Sequence, residues 1–379
     1  MGQPDLSAVV VTWNDASYAL GVVSSLLEQE FTAEGGRRGT LEIIVVDNHS
    51  DDEHARLLRQ LPPEITVLRT EKNLGYGGAS NRGLEVAAGR YVGVLNPDMR
   101  LLPGALQALL APLLGNPGVA ATGPKFWWDD ERRFMMPPND DPTLAFLVLT
   151  RFGPLITSLH RLHTRQWLRE AVTHWSSTEP RSESVLCGAF IVMRREVLSE
   201  VGGFDPGYFL YYDDADWARR VRRAGYRLLY VPQAEVVHYF NQSPKTNPDR
   251  SAIVSEGRFY AKHYGVRGKA GVRVVERLAG LCASRRQPVP LRDVIPLGQP
   301  EKPPRLTLEG HQPEGGMLAE LSPIWSFIPA AGAFLEGSTC EIPPSLWDRL
   351  RPGHYYARLV DLATLRPLRT WSWQKGESS

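Results

Sequence analysis

Apolar positions along the first 125 residues alternate between two periods. "LSAVVVTW" (6–13) and "LEIIVVDN" (41–48) are near-continuous β-branched runs, the pattern of parallel strands buried on both faces. Between them "ASYALGVVSSLLEQ" (16–29) has helical spacing. "ITVLRT" (65–70), "NRGLEVAAG" (81–89), "RYVGVLNPD" (90–98), "PGALQALLAPLLG" (103–115) and "VAATGPK" (119–125) continue the alternation. This pattern predicts strand–helix–strand units in an α/β fold with a mostly parallel central sheet flanked by helices.

The alternation breaks at Phe126. Residues 126–184 are rich in Trp, Pro, Arg and His and read as an insertion. Core-like patterns resume in "SVLCGAFIVMRR" (184–195), "EVLSEVGG" (196–203) and "YRLLYVP" (226–232), followed by helical patterns in 251–265 and 270–286. The Pro-rich stretch 287–304 cannot continue a helix and reads as an extended linker. Beyond it, runs such as "YYARLVDL" and "LRTWSW" predict a small β domain over 305–379. The expected division is therefore 1–286 with its insertion, a linker, and 305–379. In the last part Trp325, Phe327, Trp347, Trp371 and Trp373 suit either a small core or stacking on sugar rings.

Composition narrows the function classes. The 379 residues carry a net charge of +1, so no global field favours nucleic acid. Cys187, Cys282 and Cys340 have neither metal-site spacing nor a disulfide framework, which fits a reducing compartment. No apolar run approaches the ~18 residues of a membrane span. The start "MGQPDLSAVVV" lacks a basic n-region and has Leu where a myristoylation pattern has Ser or Thr. A cytoplasmic protein is expected.

Polar chemistry gathers just after the predicted strands, where open α/β sheets bind ligands. Strand one ends in Thr12, Trp13, Asn14 and Asp15, and strand two in Asp47, Asn48, His49, Ser50 and Asp51. Strand three runs into "EKNLGYGGASNRG", a turn whose glycines permit close approach of a nucleotide but which is no dinucleotide fingerprint. Strand four ends in Asn96, Pro97 and Asp98, where a carboxylate suits either a helix cap or a hard divalent cation on a diphosphate. "YYDDADWARR" (211–220) packs three carboxylates into four positions. With Asp213 as N-cap, Asp216 falls at N3, the spacing of a capping box. Asp214 is left without a structural duty.

In this order, "VVVTWND", "EIIVVDNHSDD", "EKNLGYGGASNRGL", "YVGVLNPDM", "CGAFIVMRREVLSEVGGFD" and "YFLYYDDADWARRVRRAGYRLLYVPQAEVVH" resemble the inverting family 2 glycosyltransferases of the GT-A fold. The resemblance spans roughly residues 6–265 and is closest to the rhamnosyltransferase-like branch that includes enzymes of bacterial polysaccharide assembly. It implies that Thr12 and Asn14 line the nucleotide site, that Asp47 contacts the base and that Asp51 or Asp52 lies nearby. It places Gly77, Asn81 and Arg82 beside the ribose and diphosphate. Asp98 matches the second acid of the metal-binding DxD motif, with Asn96 in place of the first. Asp214 matches the catalytic base, with Asp213 replacing the usual Glu. His238 matches a third metal ligand of some members, and a satisfied core histidine is the alternative. Mn2+ or Mg2+ is the implied cofactor, a nucleotide-diphospho-sugar such as dTDP-rhamnose or a UDP-sugar the donor, and a glycan or lipid-linked hydroxyl the acceptor.

The insertion "LAFLVLTRFGPLITSLHRLHTRQWLRE" (144–170) mixes apolar stripes with four arginines. It reads as an amphipathic cover on the acceptor side, or as a peripheral contact with anionic lipid at the inner face of the membrane. Homo-oligomerisation through the C-terminal domain is a further expectation. Two other functions compete. A sugar-nucleotide nucleotidylyltransferase needs a Gly-rich basic loop after strand one, where "TWNDAS" stands instead. A non-catalytic glycan-binding protein on the same scaffold has no need of Asp98, Asp214 and His238.

Overall fold

The structure, a computed structural model, describes residues 2–240, 242, 248–283, 293–310 and 313–376. It divides into two compact units. The first comprises Met1–Lys125, Asn139–Asp141 and Ser177–Lys269, and the second Phe126–Pro138, Pro142–Ser176 and Ala270–Ser379.

The first unit is built on a mixed sheet that has nine strands among the described residues. They are β1 (Leu6–Thr12), β2 (Leu41–Asp47), β3 (Thr66–Arg69), β4 (Tyr91–Leu95), β5 (Met99–Leu101), β6 (Val119–Trp127), β7 (Arg181–Glu183), β8 (Phe190–Arg194) and β9 (Arg227–His238). Their order is β3-β2-β1-β4-β8-β6-β9-β5, with β7 also pairing β9. The first four run parallel, as the double-sided apolar runs predict; β1 and β4 are buried throughout. β8 then pairs antiparallel to β4 and β6, and β9 antiparallel to β5 and β7. The carboxyl ends of β3, β2, β1 and β4 therefore share one edge.

Helix Gly75–Val86 crosses behind that edge on a glycine contact. A Cβ on Gly83 would sit 2.2 Å from Val9 Cγ1, so the helix lies closer to β1 than any side chain allows. Helix Pro248–Ala283 is interrupted at Gly265, where φ is 64°, and passes out of the first unit after Lys269.

The second unit contains the sheet β10-β16-β15-β12-β13, formed by β10 (Val294–Pro296), β12 (Met317–Ser322), β13 (Ala331–Leu335), β15 (Gly353–Asp361) and β16 (Arg366–Lys375). β11 (Arg305–Thr307) and β14 (Thr339–Glu341) pair separately. The two faces of the sheet bury different cores. Tyr355, Leu359, Trp371 and Trp373 pack with Trp128 and Trp347, whereas Leu318, Phe327 and Val360 pack with Trp167 and Trp175. Trp347, Trp371, Trp373 and Phe327 are thus core, and Trp325 alone of the five aromatics is half-buried.

Two boundaries differ from the sequence division. Residues 142–176 belong to the second unit, where helix Thr157–Trp175 shares a core with β12 and β15. An amphipathic stripe states that a helix needs an apolar partner and not which one. The Pro-rich stretch also contains a strand, because β10 is an edge strand that tolerates Pro296. The first six residues of that expected linker, 287–292, lie outside the described residues. Among those described, no helix is long and apolar enough to cross a membrane.

Gly83→Ala should force the stiff β-branched Val9 or the helix to move. The expected loss is about 1–3 kcal/mol, read as a lower urea midpoint with an unchanged m value. An unchanged midpoint would mean that the helix contact is not tight.

Candidate active site

The strand-end edge is knitted by short polar side chains. Thr12 and Asp47 are register partners at the ends of β1 and β2, both buried. Asp47 Oδ1 accepts from the Ser50 amide at 2.8 Å, and its Oδ2 lies 3.5 Å from Arg69 Nε. Asn14 adopts φ 51°, which turns its amide toward Ser50 Oγ (2.9 Å) and its own Oδ1 toward the Asp51 amide (2.8 Å). Asn48, not singled out from the sequence, ties this edge to the glycine-rich turn. Its Oδ1 accepts from the Leu74 amide, and its Nδ2 donates to Asn73 Oδ1 and the Gly75 carbonyl. Thr12 Oγ1 is buried with no hydrogen-bond partner among the described residues, so one polar atom at this edge is left over. At the end of β4 the Asn96 amide donates to the Ala189 carbonyl at 2.8 Å.

Several residues expected around the nucleotide also make contacts within the protein. Asp51 caps helix Asp52–Leu57 by accepting from the Glu53 and His54 amides. The His54 amide and ring lower its carboxyl. Gly77 faces inward, where a Cβ would lie 3.0 Å from Phe204 Cβ and 3.1 Å from Asp213 Oδ2. Asn81 spends both ends of its amide on Phe204, donating to its carbonyl (2.7 Å) and accepting from its N–H (3.0 Å). Arg82 pairs with Glu85 at the surface.

The acidic stretch is arranged differently from a capping box. Helix Asp213–Arg223 begins after two consecutive left-handed residues, Tyr211 (φ 67°) and Tyr212 (φ 65°). Such backbone is costly for aromatic residues, about 1–3 kcal/mol each. Tyr212 is the N-cap residue, without a side-chain cap, and is held by Glu256 (3.1 Å) and the Phe259 ring. Asp213 is therefore not a cap. It is buried inside the first turn, and Oδ2 has no hydrogen-bond partner among the described residues. Burial, then the charge of Asp214, pushes its carboxyl up to about 7. Asp216 is fully buried, yet bonds from His263 (2.8 Å), Lys262 (2.7 Å) and Arg220 (2.9 Å) outweigh desolvation and keep its carboxyl well below the usual range.

Asp214 is half-buried, and burial raises its carboxyl. Its Oδ2 accepts from the Gly188 amide (3.0 Å) and from Asn139 Nδ2 (3.4 Å), and its Oδ1 from the Ala215 amide (2.7 Å). Asn139 carried no signal in the sequence, because it lies 75 positions upstream in an irregular stretch. The Gly188 carbonyl in turn accepts from Tyr76 Oη at 2.7 Å. Burial and the neighbouring Asp213, Cys187, Asp214 and Asp98 all raise the Tyr76 phenol. Cys187 is pushed up to about 12 by burial and Asp214, which leaves it a neutral thiol. The neighbouring Ala189 carbonyl accepts from the Asn96 amide, so the backbone that holds Asp214 is also bonded to the strand end that leads to Asp98.

Asp98 is buried at the start of the turn into β5. Desolvation raises its carboxyl, but His238, paired across from Met99 at the end of β9, and backbone hydrogen bonds together more than offset it, so the net shift is downward. His238 Nε2 lies 3.4 Å from Asp98 Oδ1, long for a hydrogen bond. Cis ligands of an octahedral divalent ion at ~2.1 Å stand about 3 Å apart, so the pair fits a shared cation. Among the described residues no cluster of three or more His, Cys, Asp or Glu is arranged as a metal cage. The remaining positions of such a cation would be filled by substrate or water oxygens, as hard ions on phosphates commonly have it.

Asp213 sets a pH dependence of stability. Its folded carboxyl is raised above its value of 3.8 in the unfolded chain. The folded state therefore keeps a proton that the unfolded chain gives up. That contribution is complete below about pH 4 and is lost as pH rises toward 7, by at most about 1.4 kcal/mol per pH unit. Asp98 and Asp216 have lowered carboxyls and act in the opposite sense, at lower pH. Urea unfolding of the metal-free protein from pH 4.5 to 7 should show stability falling relative to Asp213→Asn. Parallel curves for the two proteins would contradict the assignment.

Residues 4–251 match the model of a family described as "Glycosyltransferase like family 2". The N-acetylglucosaminyl-diphospho-decaprenol L-rhamnosyltransferase of Mycobacterium tuberculosis (strain H37Rv) is 31% identical over 226 residues, 55% of this chain and 69% of the relative. Rhamnosyltransferase WbbL of Escherichia coli (strain K12) is 44% identical over 52 residues, 14% of this chain and 20% of the relative. Among solved structures the chain is similar to GalNAc-T7 with UDP, GalNAc and Mn2+, at a TM-score of 0.47 and 19% identity, covering 73% of this chain and about half (55%) of that one. With a family model over more than half its length, and a relative matched at 31% over more than two thirds of that relative, the chain belongs to the family 2 glycosyltransferases.

Proposed function

We propose that this enzyme moves a sugar from a nucleotide-diphosphate donor, dTDP-rhamnose or a UDP-sugar, to a hydroxyl of a lipid-linked glycan, with inversion and in a single displacement. The reading of donor and acceptor follows the M. tuberculosis relative, whose name makes it an L-rhamnosyltransferase acting on N-acetylglucosaminyl-diphospho-decaprenol. The observation that carries the chemistry is the carboxylate of Asp214, half-buried, raised by burial and held by Gly188, Asn139 and Ala215.

Asp214 takes the acceptor hydroxyl proton as that oxygen attacks the anomeric carbon from the side opposite the leaving nucleoside diphosphate. A carboxylate raised toward the working pH is a better general base than an ordinary one. Gly188, Asn139 and Ala215 occupy three of its roughly four acceptor positions, which fixes its orientation and leaves Oδ1 the freer oxygen. Thr12, Asn14 and Asp47 border the nucleotide, and Asp47 offers a buried carboxylate to a base N–H. Asp98 and His238 would hold the divalent cation. When bound, that ion neutralises the departing diphosphate as a Lewis acid. Either Mn2+ or Mg2+ suits Asp98, and the imidazole favours Mn2+.

Asp214→Asn should lower turnover by ~10²–10⁴-fold while nucleotide affinity, measured by calorimetry, stays nearly unchanged. Wild-type turnover in this variant would remove Asp214 from the role of base.

Chelation with EDTA should abolish transfer and weaken nucleotide binding, and Mn2+ or Mg2+ should restore both. His238→Ala should erase any advantage of Mn2+ over Mg2+ in the calorimetric titration. Metal-independent nucleotide binding and turnover would refute the cation site.

A further inference from the structure

Helix Leu144–Phe152 of the second unit has seven apolar residues in nine, and Leu147 alone is buried. Leu144 is 40% exposed and Val148, one turn later, 36%. After the turn Gly153–Leu155, helix Thr157–Trp175 buries Trp167, Leu168, Ala171 and Trp175 but leaves Leu162 47% exposed. A globular helix normally turns its apolar stripe to the core, so this hairpin displays apolar surface beyond what its own unit buries. The charge is strongly basic. The two helices carry four arginines against one acid, Glu170. Arg161, Arg165 and Arg169 recur every four residues, form one stripe and are all exposed. Beside the hairpin, the half-buried Trp325 ring stands 5.3 Å from His160, next to the exposed Ile324.

We propose that this hairpin, with Ile324 and Trp325, is a docking surface for an anionic lipid bilayer. Exposed leucine and valine enter the headgroup boundary, arginines reach the lipid phosphates on their long stems, and a tryptophan sits at the interface. A protein partner of this surface would need a matching acidic and apolar face, whereas an anionic bilayer offers both at once. The proposal rests on the lipid-linked acceptor for its purpose, but its test needs neither donor nor acceptor.

The full chain is floated with vesicles of phosphatidylcholine alone and with vesicles containing phosphatidylglycerol as well. Binding should occur with the anionic vesicles and weaken as salt rises. Each arginine contributes about fivefold to partitioning, so a combined Arg161→Gln, Arg165→Gln and Arg169→Gln variant should lose on the order of a hundredfold. Leu144→Asp with Val148→Asp should lose roughly tenfold or more. Both variants change exposed positions and should keep the wild-type thermal midpoint and nucleotide affinity. Wild-type protein that ignores anionic vesicles overturns the proposal, even if transfer to a soluble acceptor is normal. So does a wild-type dimer that Leu144→Asp with Val148→Asp converts to a monomer, since the face would then be a self-interface. Lipid binding in a protein that transfers no sugar leaves this surface standing and counts against the transferase reading alone.

Discussion

Asp216 carries a charge in the interior of the first unit, and the neighbouring elements are arranged to neutralise it. His263 and Lys262 reach it from helix Pro248–Ala283, and Arg220 from one turn along its own helix. Stripping one partner from such a buried charge costs about 3–5 kcal/mol, so the two helices are locked in register. Arg220 extends the lock, because its remaining nitrogens donate to the carbonyls of Val201 and Gly203. The next residue along, Phe204, is held at both backbone groups by Asn81. The helix carrying Asn81 presents Gly77 to Asp213, which returns the circuit to the acidic turn. One neutralised carboxylate thereby fixes where the two others point.

The circuit gives the glycine-rich turn a structural duty of its own. Gly77 and Asn81 form the floor beneath the acid pair. The strand-end residues Thr12, Asn14 and Asp47, and the Asp98–His238 pair, remain at the carboxyl edge of the sheet. The three acids of one helical turn then divide by environment. Cations keep the Asp216 carboxyl low, burial and the Asp214 charge raise that of Asp213, and Asp214 lies between, bonded by two amides and Asn139.

The parallel half of the sheet was legible because strands buried on both faces write long β-branched runs. β5 and β7, three residues each, write too little to be read, and no local pattern tells an antiparallel β8 from a parallel one. The family motifs pointed to Asp98 and Asp214, which the fold sets just after β4 and in the first turn of helix Asp213–Arg223. The capping box failed at Asp213 because tandem left-handed tyrosines, held by Glu256 and Phe259, start the helix, and propensity carries no trace of them. Asn139 was invisible because its hydrogen bond to Asp214 depends on the path of the chain between two units.

That path has a consequence for synthesis. The chain leaves the first unit after Lys125, returns for Asn139–Asp141, leaves again until Ser176, and departs for the last time after Lys269. Trp167 and Trp175 therefore emerge from the ribosome long before Leu318, Phe327 and Val360, the residues that bury them. At ~5–20 residues per second the interval between Trp175 and Leu318 lasts roughly 7–30 s. For much of it, two indole rings wait in a nascent chain whose first unit is itself incomplete until Lys269 has been made, a window in which a chaperone has something apolar to hold.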